Sequence, residues 1–362
     1  MGGDLALIDG CVYFPAVLGN DALKVRLGKD VAENHLSHAY IIEGAKGSGR
    51  HTVALSVAAA IECEIRESSP SPDLFGDIPK RSIPCGECLS CRKILSGKSP
   101  DIKLIGLEDD RVTIGVETIR SLKEDMYTAP NDLSVKVYII ENADLMTEQA
   151  QNAFLLSLEE PPEYVLFFLL CEGSVNLLET IRSRAPTLRT ARLDVSQIES
   201  FLLSNDPRAT ELRDGNREDW NTLLFVCDGR IGYALELLDA KARSNLFESR
   251  KDVKKLISLL LSSNRAAALE AIPDFGKKRQ DVKNKLSLLQ SAIRDLLLLK
   301  KSETAPLCFY DDAEEALELS TRFTSNALLS LYDAASRAKD DLDENSNVRL
   351  TLTYMIQRAG LI

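Results

Sequence analysis

The sequence predicts an α/β domain with a parallel sheet, followed by two helical domains. Up to residue 192, short apolar runs alternate with helical patterns, which is the alternation expected of a parallel sheet covered by helices. After about Val195 the strand patterns nearly vanish and helical periodicity dominates. A chain of 362 residues has room for two or three domains. We therefore expect domains at 1–192, 193–245 and 246–362.

Three apolar runs supply the predicted strands. They are Ala39–Ile42, Val135–Ile140 and Val165–Cys171, and the last is the longest apolar run of the chain. Near-continuous apolar runs are typical of parallel strands that are buried on both faces. A helical pattern over Thr52–Cys63 follows the first strand and a glycine-rich loop.

The remaining helices are predicted from apolar residues at helical spacing. Ile198–Leu203 and Tyr233–Leu238 belong to the small helical domain at 193–245. Val253–Leu261, Ser287–Leu299 and Thr324–Ala338 belong to the domain at 246–362.

The composition excludes several classes of protein. The chain carries 44 Lys and Arg against 55 Asp and Glu, a net charge of −11, so its bulk field does not attract nucleic acid. No stretch approaches the roughly 18 apolar residues of a membrane helix, and the first residues lack the pattern of a secretory signal. We expect a cytoplasmic protein without membrane contact, whose 8 cysteines are ligands or core residues and not disulfides.

A glycine-rich loop follows the first predicted strand. Gly44, Gly47 and Gly49 have the context of a phosphate loop, in which backbone N–H groups turn towards a phosphate at a helix N-terminus. That motif requires Lys and then Ser or Thr after the last glycine, whereas this sequence has Arg50 and His51. An imidazole cannot replace the hydroxyl that ligates Mg²⁺. We expect a degenerate loop that no longer functions, or a tight turn that binds nothing.

The second part of a nucleotide site is expected after the Val135–Ile140 strand. Glu141 could help to hold a metal ion, but Asn142 stands where a second carboxylate would activate water. An amide cannot accept a proton at neutral pH, so hydrolysis is not expected here.

Four cysteines have the spacing of metal ligands. Cys85, Cys88 and Cys91 form a C-x-x-C-x-x-C pattern, and Cys63 precedes it at the end of the predicted helix. This spacing favours a structural zinc site with four thiolate ligands. An iron–sulfur cluster is less favoured because no cysteine follows at the required spacing, and four reduced thiols without metal remain an alternative. The segment 66–84, rich in Pro, Ser and charge, is expected to be a surface insertion.

Ser183 and Arg184 follow the third predicted strand after a short loop. Spacing alone favours an exposed basic residue near a helix C-terminus, where a positive charge is stabilised. The alternative is an arginine that reaches across a subunit boundary to a transferring phosphoryl group.

Taken together, these motifs resemble the clamp-loader subunits of bacterial DNA polymerase III, which are AAA+ proteins. The asparagine-to-double-proline stretch, Asn152–Pro162, and the cysteine set are the most specific parts of the resemblance. The other matching pieces are Leu36–Tyr40, Ser99–Asp101, Ile114–Val116 with Ile119-Arg120, Ala143-Asp144, Ser183-Arg184 and Asn345–Leu350.

The resemblance implies the member of the ring that does not hydrolyse ATP. ATPase members of the family keep an intact phosphate loop, an acidic pair, a threonine sensor and an arginine in the second domain. Here the sensor position falls at Glu172-Gly173, and Gly232 stands in place of that arginine. Ala185 stands where the family usually has cysteine after Ser-Arg.

The resemblance also implies partners and a mechanism. The C-terminal helices would form a collar with gamma/tau-type and delta-type subunits, and Arg184 would complete the ATP site of a neighbour. The ring would then open a sliding clamp and place it on primed DNA. ATP and ADP would not be turned over by this chain, and the cofactor would be structural zinc.

Two other functions remain open at this point. The first is an ATP-hydrolysing gamma/tau-like subunit with a drifted motif, which Arg50, Asn142 and Gly232 oppose. The second is a zinc-dependent nucleic-acid-binding module, which the cysteines favour and the net charge opposes. Its only notable basic cluster, Lys277-Lys278-Arg279, is more simply a solvated helix face.

Overall fold

The computed structural model of the protein describes residues 7–8, 11–66, 81–107, 111–261, 265–276, 278–302, 305–344 and 346–358. The chain divides into two compact units. The first comprises Met1–Ile198 and Gly229–Tyr233, and the second comprises Glu199–Asp228 and Ala234–Ile362. The division into three domains at 193 and 246 stays a prediction.

The first unit contains eight strands among its described residues. Five of them form an all-parallel sheet in the order β5-β6-β7-β3-β8, and three form a smaller sheet in the order β1-β2-β4. The strands are β1 (Leu7–Ile8), β2 (Cys11–Tyr13), β3 (Ala39–Glu43), β4 (Arg81–Ile83), β5 (Ile102–Ile105), β6 (Lys136–Ile140), β7 (Val165–Cys171) and β8 (Thr187–Arg189).

The three predicted strands are confirmed as β3, β6 and β7. Every residue of β6 and β7 is buried, because helices cover both faces of the sheet. Successive side chains point to opposite faces, so Phe167 and Phe168 belong to two separate hydrophobic clusters. Tyr40 stacks on Phe168 on one face, and Phe154 meets Phe167 edge-on on the other.

Helices connect these strands in the first unit. Helix α2 begins at Arg50 and ends at Ile61, so Cys63 lies just beyond the helix and does not end it as the sequence pattern indicated. The helices are α1 (Asp21–Ala32), α2 (Arg50–Ile61), α3 (Leu89–Leu95), α4 (Val116–Met126), α5 (Glu148–Glu159) and α6 (Glu179–Arg182), with 3-10 turns at Ala143–Leu145 and Ser174–Asn176.

The segment expected to be a surface insertion ends in a strand. β4 pairs in parallel with β2 and leads the chain into Cys85, while residues 67–80 lie outside the described part of the chain. The short sheet therefore determines where the cysteine-rich segment begins.

The second unit is helical over its described residues. Helices α7 and α10 run across the division between the two units. The remaining helices are α7 (Val195–Asn205), α8 (Pro207–Gly215), α9 (Arg217–Val226), α10 (Ile231–Leu237), α11 (Ala240–Leu261), α12 (Arg265–Glu270), α13 (Ile272–Phe275), α14 (Arg279–Leu299), α15 (Ala313–Arg322), α16 (Ser325–Asp343) and α17 (Val348–Arg358).

The amphipathic helices predicted near the C-terminus are α14 and α16. Leu286, Leu289, Ile293 and Leu296 lie on one buried face of α14, which packs against α16. None of the described helices has the length and apolar character needed to cross a bilayer. Two residues of the motifs singled out above, Lys277 and Asn345, lie outside the described residues.

A buried carboxylate fixes the loop before β6. Asp101 is fully buried and accepts hydrogen bonds from the backbone N–H groups of Asn131, Asp132 and Leu133, at 2.7 to 3.0 Å. Burial alone would raise the pKa of Asp101, but these hydrogen bonds outweigh it, and the pKa lies below its ordinary value. The charged form is therefore the one that holds the loop.

Replacing Asp101 by alanine should lower the stability of the first unit by about 3 kcal/mol, because three backbone N–H groups, including that of the buried Leu133, lose their acceptor. We expect calorimetry to show the transition of this unit about 6–10 °C lower. The control is Asp132→Ala, whose carboxylate makes a surface ion pair with Lys93 at 2.8 Å that is worth about 1 kcal/mol at most.

The contribution of Asp101 should also depend on pH. With a lowered folded pKa, it is fully present above the unfolded value of about 4 and is lost as the pH falls through the folded pKa. Equal melting temperatures for the two variants at neutral pH would contradict this role of Asp101.

Candidate functional site

The glycine-rich loop lies between β3 and α2, at the carboxyl edge of the parallel sheet. In parallel sheets this edge is where ligands bind. Gly47 and Gly49 have φ values of +82° and +90°, which side chains with a Cβ rarely adopt. A Cβ at Gly44 would lie 1.9 Å from the Thr190 Oγ1 atom. The loop therefore depends on glycine at positions 44, 47 and 49.

The loop is bound by another part of the same unit. The Gly232 N–H donates a hydrogen bond of 2.8 Å to the Gly47 carbonyl, and the Ser48 and Thr190 hydroxyls lie 2.7 Å apart. A Cβ at Gly232 would come within 3.0 Å of the Gly47 Cα atom. A side chain at position 232 would therefore require the Gly47 backbone to shift by a few tenths of an ångström.

The side chains that follow the loop differ from the lysine and hydroxyl that a phosphate loop requires. Arg50 is only 9% exposed, and its Nη1 atom has no hydrogen-bond partner among the described residues. The His51 Nε2 atom lies 3.9 Å from the Glu141 Oε1 atom, and Thr52 is exposed. Asn142 lies in the left-handed region, with a φ of +53°. No hydroxyl at position 51 is available for Mg²⁺, and no carboxylate at position 142 for a water proton.

Other polar groups at this edge, which the sequence patterns did not single out, bind one another. The Ser174 hydroxyl donates to the Glu43 Oε2 atom at 2.6 Å, and the Arg189 Nε atom lies 3.5 Å from Glu43 Oε1. Burial raises the pKa of Cys171 to about 12, and the nearby carboxylates of Asp144 and Glu43 add to the effect. Cys171 is thus a buried, neutral thiol. The sequence feature that could have predicted this network is the presence of polar residues directly after buried strands.

The structure brings the four predicted metal ligands together. The Sγ atoms of Cys63, Cys85, Cys88 and Cys91 all lie within 4.8 Å of one another. Cys85 Sγ and Cys91 Sγ are 3.9 Å apart, close to the edge of about 3.8 Å of a tetrahedron with Zn–S bonds of about 2.3 Å. This geometry fits a metal with four sulfur ligands.

Backbone N–H groups surround these sulfur atoms. The N–H groups of Cys85, Cys88 and Cys91 each point to the sulfur of the preceding cysteine of the set, at 3.4 Å. Burial raises the pKa values of Cys63 and Cys91. At Cys85 burial is outweighed by N–H groups from Cys88 and Glu87, and the pKa falls to about 7. The peptide groups are thus placed to stabilise thiolates, as around bound metals.

Arg184 lies where its sequence position indicated, just past the end of α6. Its side chain is 36% exposed. The Nη1 group donates to the Thr180 carbonyl at 3.0 Å, and the Nη2 group donates to the Glu159 carboxylate at 2.7 Å. The Ser183 hydroxyl also donates to Thr180 O, and Ala185 is buried. The pair with Glu159 was not anticipated from the sequence.

A buried glutamine holds α6 against α5. The Gln151 Nε2 atom donates to the carbonyls of Met146 and Asn176, each at 3.1 Å, and its Oε1 atom accepts from the Leu178 N–H at 2.7 Å. Gln151 is 4% exposed, so these contacts are shielded from water. Gln151 therefore positions α6, and with it the backbone of Arg184. No sequence pattern singled out this role.

A five-stranded parallel sheet in the order β5-β6-β7-β3-β8, with a glycine-rich loop after its inner strand β3 and helices after the sheet, defines an AAA+-type α/β protein. The sequence matches the family model "DNA polymerase III, delta subunit" over residues 19–194 and "DNA polymerase III, delta subunit, C terminal" over residues 244–359. The chain belongs to the family of DNA polymerase III clamp-loader subunits.

Several characterised proteins are similar to this chain. The DNA polymerase III subunit delta' of Bacillus subtilis is 28% identical over 91% of this chain and 93% of its own length. The tau subunit of the same organism is 26% identical over 93% of this chain, but this chain spans only 59% of tau. The solved structure of a gamma subunit-related protein from Thermotoga maritima aligns over 93% of this chain and 99% of that chain, with 19% identity and a TM-score of 0.46. The fold assignment rests on this chain's own strand order.

Replacing Gln151 by alanine should loosen α6, because two carbonyls and one N–H lose a buried partner. We expect a cost of about 2 kcal/mol and faster hydrogen–deuterium exchange in a peptide covering residues 174–184, measured by mass spectrometry. Its exposed neighbour offers a control, Asn152→Ala, which should leave exchange unchanged. Equal exchange in the two variants would show that Gln151 does not hold the helix.

Proposed function

We propose that this chain is a delta-prime-like subunit of the DNA polymerase III clamp loader that does not hydrolyse ATP itself. Arg184 would complete the ATP site of a neighbouring subunit, and the assembled ring would load a sliding clamp on primed DNA in the cytoplasm. This proposal rests on the difference between the glycine-rich loop and Arg184, which both lie in the first unit. The loop at the chain's own site is bound by Gly232, whereas Arg184 is partly exposed.

The chain's own site supports a role without hydrolysis. Arg50 and His51 replace the lysine and hydroxyl of a working phosphate loop, and Asn142 replaces a carboxylate. The close approach of Gly232 to Gly47 disfavours a larger side chain at position 232. We derive no catalytic step at this site, since these residues do not fit Mg-ATP.

Arg184 has the chemistry required to act on a neighbour's nucleotide. A guanidinium is charged at all physiological pH values and matches the geometry of phosphate oxygens. Placed at a phosphoryl group in transfer, it would stabilise negative charge that develops in the transition state. Arg184 acts on no substrate of this chain in this mechanism.

The four cysteines would hold structural zinc. A zinc ion with four thiolate ligands has no open position, so it supplies a cross-link and no catalysis. Cys63 follows α2, Cys85 follows β4, and Cys88 and Cys91 begin α3. The ion would thus tie these three elements together.

The partners we propose are other clamp-loader subunits of gamma/tau and delta type, contacted through the Arg184 surface and the C-terminal helices. Support comes from the similarity to a delta' protein along nearly its whole length. Sliding clamp and primed DNA would be reached through the assembly, which agrees with the net charge of −11.

One observation favours a second candidate, an ATP-hydrolysing gamma/tau-like subunit. The tau relative is almost as similar to this chain as the delta' relative, at 26% identity over 93% of the chain. The residues at the phosphate loop oppose it. The zinc-dependent nucleic-acid-binding module finds no support beyond the cysteines.

The proposal predicts that the purified chain does not turn over Mg-ATP, because its own site lacks the required side chains. Within a reconstituted clamp loader, Arg184→Ala should slow turnover by about 1000-fold at the site that this chain completes. Sites completed by other subunits continue to react. The measurement is therefore single-turnover phosphate release, in which one fraction of the burst becomes slow.

The matched control is Arg182→Ala, an exposed arginine in the last turn of α6. It should leave the burst unchanged. Turnover by the isolated chain would favour the gamma/tau-like candidate. An unchanged burst with Arg184→Ala would overturn the role of Arg184.

The zinc proposal predicts about one zinc per chain by elemental analysis, since the four sulfurs form one site. Cys88→Ser should lose most of this zinc and lower the melting temperature of the first unit. Cys308→Ser, outside the cluster, should retain it. A wild-type chain purified without chelators and free of zinc would contradict the proposal.

A further inference from the structure

Glu159 makes direct contact with Arg184. The carboxylate of Glu159 accepts a hydrogen bond of 2.7 Å from Arg184 Nη2, while the Thr180 carbonyl accepts one of 3.0 Å from Nη1. Both terminal nitrogens of the guanidinium are thereby held, one by α5 and one by α6. The Glu159 side chain is 45% exposed, so the pair lies at the surface.

The sequence explains why α5 ends at this glutamate. Pro161 and Pro162 follow, and a residue before proline is disfavoured in helical conformation. Accordingly, Glu160 leaves the helix with φ −134° and ψ 61°. Glu159 is thus the last residue of α5, at a helix end where an acidic residue is unfavourable and a cation is favourable. Arg184 supplies that cation.

This contact does little for the fold. Surface ion pairs contribute little to stability, because water screens them and both side chains lose rotamer freedom. Its main effect is on the conformation of Arg184, a long side chain that would otherwise sample many rotamers. The remaining N–H donors of the guanidinium stay available for another acceptor.

We propose that Glu159 is a positioning residue, which holds Arg184 ready to meet the phosphate of a nucleotide bound to a neighbouring subunit. This inference rests on the proposed function of Arg184. The acceptor oxygen at position 159, together with Thr180 O, fixes the plane of the guanidinium before the subunits meet. A partner's phosphate then binds an arginine that has already lost its rotamer freedom.

Competition between Glu159 and phosphate for Arg184 would have the opposite effect on the reaction rate. If Glu159 competed with phosphate for Arg184, it would hold the arginine back, and its removal would speed the reaction. The sign of the change therefore distinguishes positioning from competition.

The experiment uses the reconstituted clamp loader, with phosphate release in a single turnover as the readout. Glu159→Ala should slow the site that this chain completes by about 3- to 10-fold, the factor that follows from ordering one long side chain. The maximal rate should fall while the ATP concentration at half-maximal rate stays unchanged, because the neighbour binds the nucleotide. Glu159→Gln keeps an acceptor oxygen and should stay within about twofold of the wild type.

Two further variants make the test specific. Glu160→Ala removes the adjacent exposed carboxylate and should have no effect. The double variant with Glu159→Ala and Arg184→Ala should be no slower than Arg184→Ala alone, because Glu159 acts only through Arg184. Melting temperature and complex assembly should match the wild type in the Glu159 variants.

The outcomes separate the two proposals. If phosphate release is slower with Arg184→Ala but unchanged with Glu159→Ala, the positioning role of Glu159 is overturned and the proposed function stays intact. Faster turnover with Glu159→Ala would also overturn it, in favour of competition. No effect of Arg184→Ala would overturn the proposed function itself, whatever Glu159→Ala does.

Discussion

Burial of β7 on both faces is the constraint on which the first unit depends. All seven residues of Val165–Cys171 are buried, and β6 and β3 pair with the strand on its two sides. Because these strands run parallel, their carboxyl ends meet along one edge. The glycine-rich loop, Glu141, Glu172 and Thr190 are neighbours along that edge for this reason, although they are far apart in the sequence.

At this edge several polar groups bind partners within the chain. Glu43 binds Ser174, and Ser48 binds Thr190. The Gly47 carbonyl accepts from Gly232. A ligand at this edge would have to compete with these partners for the same groups.

Arg184 and the cysteine cluster are both positioned by the ends of helices in the first unit. α5 ends before two prolines, so Glu159 lies beside the guanidinium, and Gln151 fixes α6 against α5. Similarly, the ends of α2 and β4 bring Cys63 and Cys85 to the start of α3. In both places, the ends of helices and strands bring together side chains that are distant in the sequence.

The local features of this protein could be predicted from its sequence. Near-continuous apolar runs gave β3, β6 and β7, the glycines gave the loop, and the C-x-x-C-x-x-C spacing gave three converging thiols. These signals are readable because each depends on residues close together in the chain. The sequence also shows directly that Arg50 and His51 stand where a phosphate loop requires lysine and a hydroxyl.

The contacts between groups that are distant in the sequence became evident from the folded structure alone. The Gly232 contact with Gly47, the pair of Glu159 with Arg184 and the three hydrogen bonds of Gln151 each join separate elements. No periodic pattern in the sequence predicts the partners of the exposed Glu159 or of the buried Gln151. Those partners follow from the order of strands in the sheet and from where each helix ends, and both are set by packing over the whole unit.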